Sequence, residues 1–282
     1  MRFNIGNITK KIIVQIIFIS YAITIVIFLF VLIITPFRDA SDIARGILTI
    51  PKSFTLGNFI AIWNSGLNIG FRNSMFFAIS TCITTIIVGG LAGYGFVFLK
   101  FRFKNVLYKL IFSCIYIPII IILIPLFMQY KELHLMDSFL GIIIIYTGIR
   151  IAFSVYLYRS YFEEFPSSII DAAKIDGASE ITILTKIIIP LSKAVTITIV
   201  IFNFMAIWAD FLISLLFMQK ANNATIMLSI SNIFVNVVIQ GGTVTNLATG
   251  YAGLLISTAP VILIYFFTRK YYLQGLTLGS IK

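Results

Sequence analysis

Few residues of this chain are of the types that carry out chemistry, and most of these stand alone. The two cysteines, Cys82 and Cys114, lie in apolar runs, and the single histidine, His134, has no cysteine near it in the sequence. Such a pattern supports neither a disulfide framework, nor a zinc site, nor a Cys–His nucleophile. The chain also lacks a Gly-x-x-x-x-Gly-Lys-Ser/Thr loop, which cradles nucleotide phosphates. We therefore expect no catalytic residue, no metal ligand and no cofactor bound by this chain.

Two full charges, Arg150 and Asp210, interrupt apolar runs that are otherwise free of charge. A charged side chain within an apolar span is costly, so it is a candidate for function by default. A second group of candidates is the polar stretch 167–190, where small and charged residues alternate with short apolar runs. What these residues can do depends on the elements that hold them.

Those elements are set by an unusually apolar composition. Of the 282 residues, 60% are hydrophobic and 11% are charged, and the mean hydropathy is +1.04. Ordinary soluble domains are about 45–50% apolar and about 25% charged. Lipid rather than water is therefore the expected solvent for most of the chain.

Six stretches are apolar over roughly 20 residues, the length that a helix needs to cross a hydrocarbon core about 30 Å thick. We predict an all-α membrane protein with six transmembrane helices, which span residues 12–35, 73–99, 110–130, 139–158, 194–218 and 247–268. The segments between and beyond them include an N-terminus (1–11), an outer segment (36–72), a cytoplasmic loop (159–193) and a tail (269–282). A further outer stretch, 219–246, contains apolar runs that favour a helix on the outer surface.

The distribution of the cations predicts the orientation of these spans. With the N-terminus inside, 14 Lys and Arg residues fall in inner segments and 6 in outer ones, with Arg150 in the membrane. Cytoplasmic loops carry an excess of Lys and Arg, so both termini are expected in the cytoplasm of a multi-pass plasma-membrane protein. The net charge of +11 is then a sign of topology rather than of binding to nucleic acid.

The cytoplasmic loop 159–193 has the pattern of two short helices joined at a glycine. Pro166 and Ser167 are start signals, Gly177 can supply the positive φ that ends the first helix, and Ser179 can cap the second. Two helices held at an angle in this way form a rigid projection. From composition alone, an ordinary interfacial loop is an equally good interpretation.

The same loop resembles the EAA motif of ABC importer permeases. The motif has the pattern Glu-Ala-Ala-x-x-Asp-Gly-Ala, and its positions are matched here by Asp171, Ala172, Ala173, Asp176, Gly177 and Ala178, followed by Ser179, Leu184 and Pro190. The chain departs from the pattern at three positions: Asp171 replaces the usual Glu, Leu184 a usual Phe and Ala194 a second Pro. The resemblance implies that residues 171–179 form the coupling helix, which sits in a cleft of an ATPase.

Other segments are similar to the carbohydrate-uptake class of these permeases, the maltose-transporter type. They are Asn73-Ser74, Ala92-Gly93-Tyr94-Gly95-Phe96, Ile117-Pro118, Trp208-Ala209-Asp210-Phe211-Leu212 and the closing Gly275-Leu276-Thr277-Leu278-Gly279. Ala209 stands where this class usually has Asn. The match runs from about Arg72 to the end, as in the shorter, six-helix member of a permease pair.

The resemblance implies a sugar importer that works by alternating access, together with several partners. These are a second, homologous permease that completes a heterodimer, two cytoplasmic ATPases that bind ATP and Mg, and an extracytoplasmic sugar-binding protein. The chain itself is then not an enzyme. An acidic sugar, a glycerol-phosphate-like solute or a peptide remains an alternative substrate, and a secondary transporter that works without ATP is the alternative class.

Three interpretations of the charges within the spans remain open. Arg150 and Asp210 can form a structural ion pair, since their estimated depths of about 17 Å and about 12 Å from the outer surface are similar. Asn203 and Asp210, seven residues apart on one helical face, can instead line a polar cavity beside Trp208, whose ring can stack on a sugar. In the third interpretation, Arg150 binds the carboxylate of an acidic sugar.

Overall fold

The structure, a computed structural model, describes residues 5–46, 48–239 and 244–278. The predicted positions 279–282 of the tail lie outside the described residues. Within those ranges the regular structure is helical. The α-helices are α1 Ile5–Ile34, α2 Ala40–Ala44, α3 Gly57–Ile62, α4 Asn68–Phe98, α5 Lys104–Ser113, α6 Ile119–Glu132, α7 Phe139–Glu163, α8 Ser167–Ile175, α9 Glu180–Ile183, α10 Ile189–Leu191, α11 Lys193–Trp208, α12 Leu212–Phe217, α13 Ile226–Ile239 and α14 Val244–Leu278.

The apolar helices bear out the all-helical membrane fold that the sequence predicts. In the described residues, four stretches are long and apolar enough to cross a bilayer: Lys10–Phe37, Gly57–Phe98, Phe139–Glu163 and Leu247–Arg269. Two bent pairs of apolar helices bring the number to six when each pair counts as one crossing. In the second pair, Glu180–Leu191 bends by 72° from Lys193–Trp208, and it falls within the predicted cytoplasmic loop 159–193.

The predicted third span is divided at Pro118 into two helices. Lys104–Tyr116 and Ile119–Glu132 meet at an angle of 100°. The residue before a proline is driven out of the α region, and Ile117 accordingly has φ −80° and ψ 115°. Pro125, in contrast, lies within α6. The proline at 118 therefore ends one helix, whereas the proline at 125 is accommodated.

The predicted fifth span is also interrupted, where the sequence suggests one helix over 194–218. Helix α11 ends at Trp208 and α12 begins at Leu212. Asp210 lies in the gap, and its carboxylate accepts hydrogen bonds from the backbone N–H groups of Ile213 (3.5 Å) and Ser214 (3.2 Å). Aspartate competes with helical hydrogen bonding in this way and favours a helix start.

The chain divides into two compact units. The first comprises residues 1–68 and 230–259. Its outer segment is held by the fully buried Arg38, which donates to the carbonyl oxygens of Gly46 and Thr49. Asn58 donates in turn to the carbonyls of Pro36 (2.9 Å) and Arg38 (2.7 Å). These bonds satisfy backbone groups that no helix satisfies.

The second unit comprises residues 69–229 and 260–282 and contains the candidate site residues. Helix α4 approaches α7 closely at Gly89 and Gly93. A Cβ at Gly93 would lie 2.7 Å from the Tyr158 Cβ, and one at Gly89 would lie 2.9 Å from the Ser154 Cβ. Only glycine allows two helices this near, which is the usual role of small residues between membrane helices.

The buried core at the cytoplasmic end of this unit joins the spans to the cytoplasmic loop. Its members come from α4, α7, the loop and α11: Tyr94, Tyr158, Phe162, Ile170, Ile183, Ile188, Val195 and Ile199. Each is less than 9% exposed. The loop is therefore packed onto the spans rather than hanging from them.

Candidate functional site: the cytoplasmic loop and the polar groups within the spans

The cytoplasmic loop contains the two short helices that the sequence predicts. Helix α8 ends at Ile175, and Gly177 follows with φ +77°. The N–H of Gly177 bonds to the carbonyl of Lys174 (3.1 Å), and the N–H of Ala178 bonds to that of Ala173 (3.0 Å). This pair of bonds is a Schellman motif, which requires a left-handed residue at the position of Gly177. The Ser179 hydroxyl then caps α9 by accepting from the Thr182 N–H at 3.2 Å.

One face of this projection is anchored and the opposite face is open. Ile170 is 4% exposed within the core, and Ala173 and Ala178 pack against that core. The predicted coupling residues Asp171, Ala172, Asp176, Gly177 and Ser179 are all exposed. Two large apolar side chains are exposed beside them, Ile175 by 87% and Ile181 by 75%. An exposed apolar tip on a rigid support is typical of a docking surface.

Glu180, the first residue of α9, holds the loop together electrostatically. Its carboxylate accepts from the Lys174 ammonium at 2.9 Å and from the Tyr94 hydroxyl. The hydrogen bond from Lys174, followed by that from Tyr94, lowers the pKa of Glu180 below its ordinary value. The carboxylate is therefore ionised at neutral pH, when it can accept both bonds.

Asn203 lies in a buried polar cluster within the spans. Its side chain is fully buried, and its NH₂ group donates to the hydroxyls of Thr85 (3.0 Å) and Ser154 (3.2 Å). Thr85 and Ser154 are themselves fully buried. The cluster thus joins α4, α7 and α11, and in this conformation it does not line an open path.

Trp208 is likewise enclosed in this conformation. It is 1% exposed, it stacks on Phe204 with ring centroids 5.4 Å apart, and it meets Phe71 edge-on at 5.3 Å. Both aromatic partners belong to this chain. Stacking of the Trp208 ring on a sugar therefore requires a rearrangement that frees its face.

Arg150 and Asp210 are both partly buried. Asp210 accepts from the Tyr146 hydroxyl at 2.9 Å, in addition to the backbone N–H groups that start α12. The two charges interact electrostatically. Among the ion pairs formed by described residues, with N···O distances up to 4.0 Å, none joins Arg150 to Asp210. The structure thus brings Asp210 to Tyr146 rather than directly to Arg150.

Several of these partners escape analysis of the sequence. Tyr94, Tyr146, Thr85 and Ser154 lie in apolar runs and carry no charge, so hydropathy treats them as ordinary span residues. Glu180 has a local signal, since it follows the capping Ser179. Its partner Tyr94 is 86 residues away, and no spacing rule connects the two.

A cavity between α4, α7, the loop and α11 of the second unit is unsuited to a polar substrate. It has a volume of about 460 Å³ and is lined chiefly by apolar side chains from α4, α7, the loop and α11, among them Ile86, Ile87, Leu91, Phe162, Ile189 and Ile197. A site for a polar ligand needs a few convergent polar groups. The side chains of Asn203 and Asp210 instead form hydrogen bonds within the chain.

Comparison with known proteins defines the class to which this fold and loop belong. The family model described as "Binding-protein-dependent transport system inner membrane component" matches residues 85–277, which include α7, the cytoplasmic loop and α11. The match covers more than half of the chain, so the protein belongs to this family of transport components. The predicted plasma-membrane location and the resemblance to ABC importer permeases are confirmed.

Individual relatives and a solved structure agree with this membership. The chain is 31% identical to the osmoprotective compounds uptake permease protein GgtD of Synechocystis sp., over 81% of this chain and 76% of that protein. It is 27% identical to the arabinooligosaccharides transport system permease protein AraQ of Bacillus subtilis, over 90% of this chain and 89% of that protein. A crystal structure of a bacterial ABC transporter involved in the import of the acidic polysaccharide alginate matches with a TM-score of 0.80. At 20% identity it covers 96% of this chain and 99% of the matched chain, and it supports the fold alone.

Proposed function

We propose that this chain is the transmembrane permease subunit of an ATP-driven importer that brings a sugar, in the form of an oligosaccharide, into the cytoplasm by alternating access. The observation that carries the proposal is the cytoplasmic projection, with its anchored face, its Schellman turn at Gly177 and its exposed Ile175 and Ile181. In a family defined by binding-protein-dependent transport, a rigid exposed projection of this kind is suited to bind a soluble partner protein that drives movement of the spans.

That partner is proposed to be a pair of cytoplasmic ATPases, which bind ATP and Mg. Segment 171–179 of the projection would sit in a cleft of one ATPase, with its exposed residues Asp171, Ala172, Asp176, Gly177 and Ser179 facing that partner. Closure of the two ATPases would move the projection. Its side chains Ile170 and Ile183 pack in the core shared with α4, α7 and α11, and this packing would carry the movement to those helices as rigid bodies.

A second, homologous permease is proposed as the other half of the path, in a heterodimer. This proposal is supported by the burial of Asn203 and Trp208 within this chain and by the apolar lining of the cavity beside α4 and α11. A water-filled route for a polar solute then needs a further surface to face. An extracytoplasmic sugar-binding protein would deliver the solute to that route.

The sugar assignment has two supports. The relative named for arabinooligosaccharide transport aligns over 90% of the chain, and the segment Trp208-Ala209-Asp210-Phe211-Leu212 resembles that of carbohydrate permeases. Specificity in such a system is shared with the binding protein and the second permease, so the substrate is proposed only as a class.

The substrate class is tested on the intact complex. The complex is purified from its source with its binding protein, and the retained small molecules are identified by mass spectrometry. We expect a neutral oligosaccharide. A retained uronic-acid oligomer would shift the proposal to an acidic sugar and to Arg150 as its recognition group. A retained peptide or amino acid would overturn the sugar assignment.

A further inference from the structure

One carboxylate joins three helices at the base of the cytoplasmic projection. Glu180 begins α9, Lys174 lies in the last turn of α8, and Tyr94 lies near the end of α4. One oxygen of Glu180 accepts from Lys174 at 2.9 Å, and the other accepts from the hydroxyl of Tyr94. Both halves of the projection are thereby tied to a membrane-spanning helix through a single side chain.

The hydroxyl of Tyr94 is the part of this residue that the apolar core does not need. The side chain is 4% exposed, and its ring packs against Phe98 with centroids 5.0 Å apart. A phenylalanine ring would make the same contacts. What the hydroxyl adds is the bond to Glu180, at the boundary between the core and the exposed loop.

This bond differs in kind from the rest of the contact between the projection and the spans. The packing of Ile170 and Ile183 is apolar, and apolar burial is non-directional, so it tolerates sliding. A hydrogen bond to an ionised carboxylate is directional and strong. Among the described side chains of α8 and α9, the Tyr94–Glu180 bond is the one hydrogen bond to a spanning helix. Further along the loop, the Tyr161 hydroxyl of α7 donates to the backbone carbonyl of Leu191 at 2.9 Å.

We propose that Tyr94, acting through Glu180 and Lys174, is a positioning residue that makes the end of α4 follow the coupling projection during the transport cycle. Without the hydroxyl, the ATPases still close and hydrolyse ATP, but α4 slips against the projection. This inference rests on the proposed function, since it assigns the route by which ATP-driven movement enters the spans.

The test measures the ATP hydrolysed per sugar imported, using the full complex with its binding protein in proteoliposomes. For Tyr94→Phe we expect ATP hydrolysis within about twofold of the wild type and sugar uptake reduced at least fivefold, so that the ratio rises. The matched control is Tyr158→Phe. Tyr158 is 3% exposed in the same core, and its hydroxyl bonds to Thr196 at 2.8 Å, away from α8 and α9. The control should retain the wild-type ratio even where its thermal stability falls.

A second variant keeps the test decisive if Tyr94→Phe fails to assemble. Glu180 is 46% exposed, so Glu180→Ala is expected to fold, and it should raise the ratio as Tyr94→Phe does. Glu180→Gln retains an oxygen for the Tyr94 hydroxyl and should recover part of the coupling. Combining Tyr94→Phe with Glu180→Ala should be no worse than Glu180→Ala alone, because Glu180→Ala already removes the bond to Tyr94.

The outcomes separate this inference from the function on which it rests. A wild-type complex that shows no ATP-driven uptake would overturn the proposed function. A wild type that couples normally, with wild-type ratios for Tyr94→Phe and Glu180→Ala, would overturn the positioning role alone. A ratio raised equally by Tyr158→Phe would also overturn it, since any loosening of the core would then suffice.

Discussion

Asp210 shows how the structure narrows a choice that the sequence leaves open. Its carboxylate is engaged by the Tyr146 hydroxyl at 2.9 Å and by the N–H groups at the start of α12. These three donors need a hydrogen-bond acceptor at position 210, whatever residue occupies position 150. The bonds of Asp210 therefore favour a local structural role over a simple exchangeable ion pair.

Exchanging the two charges tests this interpretation. In the double variant Arg150→Asp with Asp210→Arg, we expect no recovery of either assembly or uptake, because arginine has no acceptor for Tyr146 or Ser214. Asp210→Asn keeps one acceptor oxygen and should be the milder single change. Assembly is followed by size-exclusion chromatography in detergent, beside sugar uptake. Full rescue by the double exchange would instead support the ion pair.

Glu180 gives a prediction about pH. Its pKa is lowered from the ordinary value of 4.5 by Lys174 and Tyr94, so its stabilising contribution is complete above pH 4.5 and is lost as the pH falls through the lower, folded-state pKa. The difference in thermal unfolding midpoint between wild type and Glu180→Gln should be constant from pH 8 to about pH 5 and shrink in more acidic solution. A difference that already declines between pH 7 and pH 5 would contradict this.

The contact between α4 and α7 depends on glycine at two positions. A Cβ at Gly93 would meet the Tyr158 Cβ at 2.7 Å and the Arg159 backbone nitrogen at 3.2 Å, neither of which is the free end of a flexible side chain. Gly95, half a turn on, has its nearest neighbour, the Leu99 Cδ1, at 3.9 Å. Gly93 and Gly95 therefore form a matched pair, because an added Cβ would be crowded at Gly93 and would be accommodated at Gly95.

We expect Gly93→Ala to lower the stability by about 1–3 kcal/mol, because an added methyl overpacks the helix contact. Gly95→Ala should be neutral or slightly stabilising. Thermal unfolding of the purified protein in detergent compares the two. Equal midpoints for both variants would show that α4 and α7 are further apart than the structure has them.

The turn between α8 and α9 is specified by one backbone angle. Gly177 has φ +77°, and a side chain there would meet nothing within 4 Å. Gly177→Pro cannot adopt this φ, so uptake should be abolished while the protein still inserts in the membrane. Gly177→Asn, which tolerates the left-handed region, is the control and should retain most uptake. Unchanged uptake in the proline variant would count against the loop as the coupling element.

The sequence predicts this loop and the apolar helices well, because both depend on local rules. The turn angle at Gly177 and the cap at Ser179 follow from residue type, and the spans follow from hydropathy. The break after Trp208 is less predictable, because the single Asp210 lies in a run of apolar residues that favour a continuous helix. Tertiary pairing is the least predictable of all: the enclosure of Trp208 by Phe71 and Phe204, and the bond from Tyr94 to Glu180, depend on how distant helices pack.

For the whole molecule, the excess of inner cations and the all-helical fold are those of a membrane component of a transport system. Its charged projection is expected on the cytoplasmic side, a cavity beside it is apolar, and Asn203 and Asp210 form hydrogen bonds within the chain. Family membership places it in a binding-protein-dependent system. In the proposed transport cycle, energy enters through the projection from ATP that is hydrolysed on separate subunits.

The most direct test is uptake of labelled oligosaccharide by proteoliposomes containing this chain, the second permease, the ATPases and the binding protein. We expect uptake only with ATP and Mg on the ATPase side, and we expect it to stop when the phosphate-binding lysine of the ATPase is replaced. A proton ionophore should have no effect. Uptake that persists with the lysine variant and collapses with the ionophore would contradict the account, because it would identify an ion-driven transporter.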